Sequence, residues 1–151
     1  MDLGCGAGFF TIPAAEIVGE KGKVYALDIN PEAIRRLNAR ASEAGLKNII
    51  SVTGRAEDAS VCEECADIVF LGIVLHDFGE PFTVLMNSRR MLRKTGCLVD
   101  LDWKKKPMKI GPPLRIRFSE DYASKLIERA SFSIEVRKAS GPYHYMIVAK
   151  Q

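Results

Sequence analysis

Asp2-Leu3-Gly4-Cys5-Gly6-Ala7-Gly8, followed by Ala26-Leu27-Asp28-Ile29-Asn30, decides how this 151-residue chain folds. Glycines at alternate positions, placed where a strand hands over to a helix running from Phe9 to Gly19, let a ligand lie directly on the backbone. A dinucleotide-binding turn spaces its glycines G-x-G-x-x-G to bring a pyrophosphate to the helix tip. Here the third glycine comes one position early, Phe9 stands in its place, and Asp2 just upstream would repel a phosphate. The loop therefore suits a nucleoside without a pyrophosphate and with positive charge. Asp28 closes the next strand, where α/β nucleotide sites place a carboxylate to accept hydrogen bonds from ribose hydroxyls.

Outward from these stretches, short apolar runs alternate with helical patterns, the signature of βα units on a parallel sheet. Strands are expected over 23–29, 48–53, 66–71 and 97–103; the runs 68–71 and 97–101 within the last two are continuous rather than alternating, as in strands covered on both faces. A helix capped by Asn30 and opened by Pro31 should end at Ala44-Gly45, with Ala33, Ile34, Leu37, Ala41 and Ala44 on its buried stripe. A second helix is expected from Glu80 to Lys94, burying Phe82, Leu85, Met86 and Leu92 and stopped by Gly96. A third begins at the N-cap Ser119 and buries Tyr122, Leu126, Ile127 and Ala130. Two terminal strands, 132–139 and 143–150, form an antiparallel hairpin across Ser140-Gly141-Pro142, with Tyr143, Tyr145 and Ile147 on one covered face. The expected architecture is a Rossmann-like three-layer α/β sandwich, mostly parallel with an antiparallel C-terminal hairpin, in a single domain over 1–151.

Composition narrows the function. With 47% hydrophobic and 27% charged residues the chain has the balance of an ordinary globular domain, neither disordered nor repetitive. No apolar run reaches the ~20 residues of a membrane helix, and Met1-Asp2-Leu3-Gly4 lacks the pattern of a signal peptide, so a cytoplasmic location without membrane partners is expected. Net charge is +3, split between an acidic first half (residues 1–75: 7 basic, 11 acidic) and a basic second half (residues 76–151: 15 basic, 8 acidic). A cationic ligand would find its site in the first half; nucleic acid is not the expected partner. Cys62-Glu63-Glu64-Cys65 is a lone C-x-x-C with no second ligand pair, so no metal site is expected and the two thiols read as loop residues, redox-linked at most.

Together, these motifs resemble those of the class I S-adenosylmethionine-dependent methyltransferases, in the small-molecule group that includes the ubiquinone and menaquinone C-methyltransferases. Asp2 to Gly8 resembles the first motif of that family and Ala26 to Asn30 the second. Gly54-Arg55-Ala56-Glu57-Asp58 resembles the adenine-facing loop, Ala66 to Leu71 the fourth strand, and Arg90 to Gly96 the turn into the fifth. The resemblance implies S-adenosyl-L-methionine as cofactor. It places Gly4 and Gly6 against the methionine part, Asp28 on the ribose and Ile29 on the adenine, with Asp2 and Cys5 also among the cofactor-binding residues. Ala56 and Glu57, with Asp58 as an alternative, would meet the adenine edge, and Leu71 and Gly72 would line the pocket near the amino group. Arg55 departs from the family, many members of which carry an aspartate there.

Methyl transfer from a sulfonium depends mainly on positioning and desolvation, and a base is needed only when the acceptor carries a proton. His76, just past the fourth strand, with Asp77 beside it to raise its basicity, is the candidate catalytic pair; ordering of the following loop is the plainer role. The expected function is methylation of a small-molecule acceptor, with homodimerisation open. The rivals are an inactive or weak cofactor-binding remnant and an RNA-modifying enzyme. The second rests on Lys104-Lys105-Lys106, Lys109 and a stacking role for Trp103. Only Met1-Asp2-Leu3 precedes the glycine loop, where the family has a longer strand and an upstream helical cap. A truncated first strand, a missing cap, an open pocket, weak binding and little turnover are expected of this form.

Overall fold

A computed structural model describes residues 1–59 and 61–151. Strands and helices alternate as an α/β, Rossmann-like fold. All strand pairings within the two units are parallel except those made by the last strand, β7. The chain divides into two compact units, Met1–Ala59 and Ser60–Gln151. Among the described residues no helix is long and apolar enough to cross a membrane.

In the first unit, β1 (Asp2–Leu3) pairs in parallel with β2 (Val24–Asp28), and β2 with β3 (Ile49–Thr53), giving the order β3-β2-β1. The helix α1 (Thr11–Val18) follows the glycine loop, starting two residues later than expected, and α2 (Pro31–Glu43) follows β2. Asn30 caps α2 as its sequence requires, its side chain accepting from the Glu32 amide at 2.9 Å. Of the expected stripe, Ile34, Leu37 and Ala41 are buried and Ala44 is exposed. Cys5, Ala26, Ile34 and Leu37 pack into one apolar cluster. α2 thus closes the underside of the glycine loop, and Arg40 also donates to the Ala7 carbonyl at 2.6 Å.

The second unit holds β4 (Ala66–Gly72), α3 (Pro81–Met91), β5 (Leu92–Trp103), α4 (Glu120–Arg129), β6 (Ser133–Ser140) and β7 (His144–Lys150), with strand order β4-β5-β7-β6. β4 and β5 are parallel; β7 runs antiparallel to both β5 and β6, so the expected hairpin is present. Ser119 caps α4 by accepting from the Tyr122 amide. Two expectations fail here. α3 ends at Met91, not Lys94, and the chain enters β5 at once. Gly96 is therefore no helix stop: it lies in β5 beside a register shift, and a Cβ there would come within 2.9 Å of the Ala66 carbonyl oxygen. The expected buried faces hold in part: Leu85 and Leu92, and Leu126, Ile127 and Ala130, are buried, whereas Phe82, Met86 and Tyr122 are exposed, and α3 also buries Val84, Ser88 and Met91 and α4 Ala123 and Ser124. Backbone phase, not side-chain size, decides which positions at the edge of a stripe are covered. Tyr145 and Ile147 are fully buried as expected, but Tyr143 is exposed.

Candidate functional site

Leu27 anchors the glycine loop through its carbonyl, which accepts from the amides of both Gly4 and Cys5, at 2.7 and 3.0 Å. Gly4, Gly6 and Gly8 all adopt positive φ, 76°, 53° and 83°, the left-handed region that glycine enters without penalty. Their reasons differ. A Cβ on Gly8 would lie 2.4 Å from Leu37 Cδ1, so this glycine admits α2. A Cβ on Gly6 would meet nothing within 4 Å, so the space beside it is open to a ligand.

The carboxylate of Asp28 binds the same loop: Oδ2 accepts from the Gly6 amide at 2.7 Å and Oδ1 from the Asn30 amide at 2.8 Å. Each oxygen has a second lone pair, leaving capacity for two further donors. Asp2 is buried, and its Oδ2 accepts from the Thr11 hydroxyl at 2.6 Å. Burial above all raises its carboxyl above the ordinary range, against the Thr11 bond and with the Asp28 charge adding to the rise. Thr11, which the sequence reading passed over, therefore ties β1 to the start of α1. Cys5 faces inward into the apolar cluster, and burial, then Asp2 and Asp28, push its thiol up to about 12, so only its backbone is available to a ligand. Ile29 is exposed at the end of β2.

The loop after β3 turns through hydrogen bonds from the Asp58 amide to the Arg55 carbonyl and from the Ala59 amide to the Ala56 carbonyl. Ala56 is buried, and Arg55 reaches both Glu57 and Asp58, at 3.6 and 3.7 Å. Arg55 thus pairs with two carboxylates of its own loop.

Leu71, buried, and Gly72 end β4 in the second unit. Ile73 follows with φ 61°, an uncommon conformation for a β-branched residue, held by its amide donating to the Leu101 carbonyl at 2.6 Å. A short 3-10 turn, Leu75–Asp77, then carries His76 inward. Its Nδ1 lies 2.8 Å from both carboxylate oxygens of Asp102, and its Nε2 lies 3.4 Å from Asp77 Oδ1. The His76 and Asp102 side chains are each only 1% exposed. Burial works against a charged His76, but the Asp102 hydrogen bond and charge, aided by Asp77 and opposed by Arg117, raise it above 6.5.

Asp102 was missed in the sequence, as was Asp100. The run 97–101 is continuous rather than alternating, yet Asp100 and Asp102, two positions apart in a strand, must share a face. That face is covered: Asp100 is fully buried, neither of its oxygens has a hydrogen-bond partner among the described residues, and burial raises its carboxyl well above the ordinary range. Trp103 is not free for stacking on a base. His144 lies 4.3 Å from it, Arg117 sits 5.6 Å over its ring, and Gly111 presses against it. Lys104 donates to the Gly141 carbonyl, while Lys105, Lys106 and Lys109 are exposed. Cys62 and Cys65 form a disulfide, and among the described residues no group of three or more metal-ligating side chains occurs.

A glycine loop held by the carboxylate of the neighbouring strand, in this order of strands, is the arrangement of a nucleoside-binding α/β enzyme. Residues 1–132 match the methyltransferase domain family, so the chain belongs to it, within the class I S-adenosylmethionine-dependent methyltransferases. A crystal structure of a SAM-dependent methyltransferase from Aquifex aeolicus superposes with a TM-score of 0.93 at 29% identity, covering 98% of this chain and 79% of that one. The demethylmenaquinone methyltransferase of Geobacillus stearothermophilus is 30% identical over 102 residues, 68% of this chain and 44% of that protein. An aklanonic acid methyltransferase of a Streptomyces species is 39% identical over 69 residues, 46% of this chain and 31% of that protein. The matched segments thus span less than half the length of these curated relatives.

Proposed function

We propose that this chain binds S-adenosylmethionine through the glycine loop and Asp28 of its first unit and methylates a small-molecule acceptor. One observation carries the reading: the Asp28 carboxylate bonds the amide of Gly6, the glycine beside which space is open, and keeps lone pairs for the hydroxyls of a sugar. The donor set fits an uncharged ribose and a cationic sulfur and contains no phosphate-binding cation on the loop. When bound, the cofactor supplies a methyl carbon on a positively charged sulfur, whose bond breaks with the electron pair remaining on sulfur.

In this reading Gly4, Gly6 and the Cys5 backbone carry the methionine part. Ile29, Ala56, Glu57 and Asp58 surround the adenine. Asp2 acts through Thr11 by fixing the loop, and its buried carboxyl favours a cation nearby. Small organic acceptors are named in both curated relatives described above, which supports the acceptor class. Calorimetric titration tests the reading: S-adenosylhomocysteine should bind and NAD should not, and Asp28→Ala should weaken binding at least tenfold, about 1.4 kcal/mol or more. Binding of NAD in preference, or an unchanged affinity in Asp28→Ala, would overturn it.

A further inference from the structure

We propose that the segment joining β5 to α4 is a docking surface for an anionic lipid bilayer, its cations meeting the headgroups and its exposed apolar side chains entering just below them. The proposal goes beyond the methyltransferase reading and lies wholly within the second unit.

Residues 104–119 make this connection without helix or strand. A connection longer than about 12–15 residues inside a compact unit calls for a functional reason. Its charge is one-sided: residues 104–118 carry six basic side chains and no acidic one. Two of the six are engaged within the protein. Arg117 is buried on the carbonyls of Lys104, Lys106, Ile110 and Pro112, and Lys104 donates from Nζ to the Gly141 carbonyl. The other four, Lys105, Lys106, Lys109 and Arg115, are exposed and make no ion pair among the described residues. The flanking acids do not offset them, because Asp102 faces His76, and Glu120 and Asp121 pair with Arg137.

Interleaved with these cations are apolar side chains that the fold leaves in water. Ile110 is 47% and Leu114 43% exposed, and Pro107 and Pro113 are exposed beside them. The segment that carries them is held to one shape by the Arg117 bonds and by Gly111, which at φ 86° lies so close to the Trp103 ring that a Cβ would come within 2.9 Å of it. Tyr143, half-exposed, is brought alongside by the Lys104 amide, which donates to its carbonyl at 2.8 Å. Its ring suits the headgroup level, apolar in body and polar at the tip.

The occupant of such a surface must supply both spread negative charge and hydrocarbon. An anionic bilayer offers the two in layers, headgroups above and acyl chains beneath. RNA offers phosphates, but the tryptophan on which a base would stack is covered by Arg117, His144 and Gly111, and RNA has no hydrocarbon to take up Ile110 and Leu114. The expectation of no membrane partner rested on the lack of a spanning run, and a surface contact needs none.

Cosedimentation with vesicles of phosphatidylcholine alone, and of phosphatidylcholine with phosphatidylglycerol, tests the proposal. The chain should bind the mixed vesicles and not the neutral ones. It should be released as salt shortens the reach of charge from about 10 Å at 0.1 M to about 3 Å at 1 M. The mixed vesicles should shield Lys105, Lys106 and Lys109 of the wild type from acetylation, read by peptide mass. Lys105→Gln with Lys106→Gln should lower partitioning about 20-fold, from about fivefold per cation, whereas Lys105→Arg with Lys106→Arg should leave it unchanged. Ile110→Ser with Leu114→Ser should lower it about tenfold. Equal binding to both kinds of vesicle, no binding by the wild type, or unshielded lysines on bound vesicles overturns the proposal, whether or not every variant folds. Undiminished binding by the Ile110 and Leu114 variant, or tighter binding to oligouridylate than to mixed vesicles, also overturns it, the latter making the segment a nucleic-acid surface. Failure of the wild type to bind S-adenosylhomocysteine overturns the methyltransferase reading instead, and the vesicle result still decides this surface.

Discussion

Replacing Arg117 by methionine should release the segment between β5 and α4. Arg117 is 3% exposed, and among the described residues its guanidinium donates to backbone carbonyls: Pro112 at 2.7 Å, Ile110 at 2.9 Å, Lys106 at 3.2 Å and Lys104 at 3.4 Å. The two short bonds, at about 1.5–3 kcal/mol each for a charged donor, come to about 3–6 kcal/mol. Against this stands the desolvation of a cation with no carboxylate bonded to it, which offsets several kcal/mol. Methionine keeps most of the apolar stem that packs by Trp103, and the freed carbonyls can reach water once the segment opens. After that offset the expected loss is about 2–3 kcal/mol, and it should be concentrated in the segment. Urea unfolding followed by tryptophan fluorescence measures the global part, since Trp103 is the single tryptophan and lies under Arg117. Limited proteolysis with mass analysis measures the local part, with new cleavage after Lys105, Lys106 or Lys109. A variant within 0.5 kcal/mol of wild type and equally resistant to protease, judged against the usual surface-substitution scatter, would refute the clasp.

Further outcomes follow from other residues. Gly6→Ala should cost the fold only the about 1–2 kcal/mol of a left-handed Cβ while weakening S-adenosylhomocysteine binding. Gly8→Ala should cost more in thermal unfolding because Leu37 must also move; equal losses would contradict the two roles. Asp100→Asn isolates a buried acid whose folded pKa is raised. The folded state keeps this proton where the unfolded chain releases it. The stability it contributes is therefore full below about pH 3.8 and falls by about 1.4 kcal/mol per pH unit until the folded group ionises. The asparagine variant should thus gain on wild type as pH rises, and a pH-independent difference in urea unfolding would count against it. Alkylation of the denatured, unreduced chain should label Cys5 and Cys97 but not Cys62 or Cys65, read by peptide mass; labelling of all four would exclude the disulfide.

What was legible in the sequence was whatever depends on neighbours along the chain. Alternate glycines, an Asn30-Pro31 helix start, the Ser119 cap and an aspartate at a strand end are local chemistry, and each is where the motif requires it. The family followed from the same residues, because they resemble its first two motifs. The edges of the buried stripes of α3 and α4 were not legible: Phe82, Met86 and Tyr122 stay exposed, since which positions at a stripe's edge are covered is chosen by packing against strands distant in sequence.

The tertiary structure alone decided which polar groups belong together. His76 and Asp102 are 26 positions apart, and only the pairing of β4 with β5 brings the turn after one strand onto the side chain of the other. Asp28 was visible as a carboxylate closing a strand, but its bond to the Gly6 amide required β2 to lie beside the loop. A lone pair has no signature in a sequence until folding shows which donor it faces, and the charge state of a buried group is set by those neighbours and by the water excluded around them.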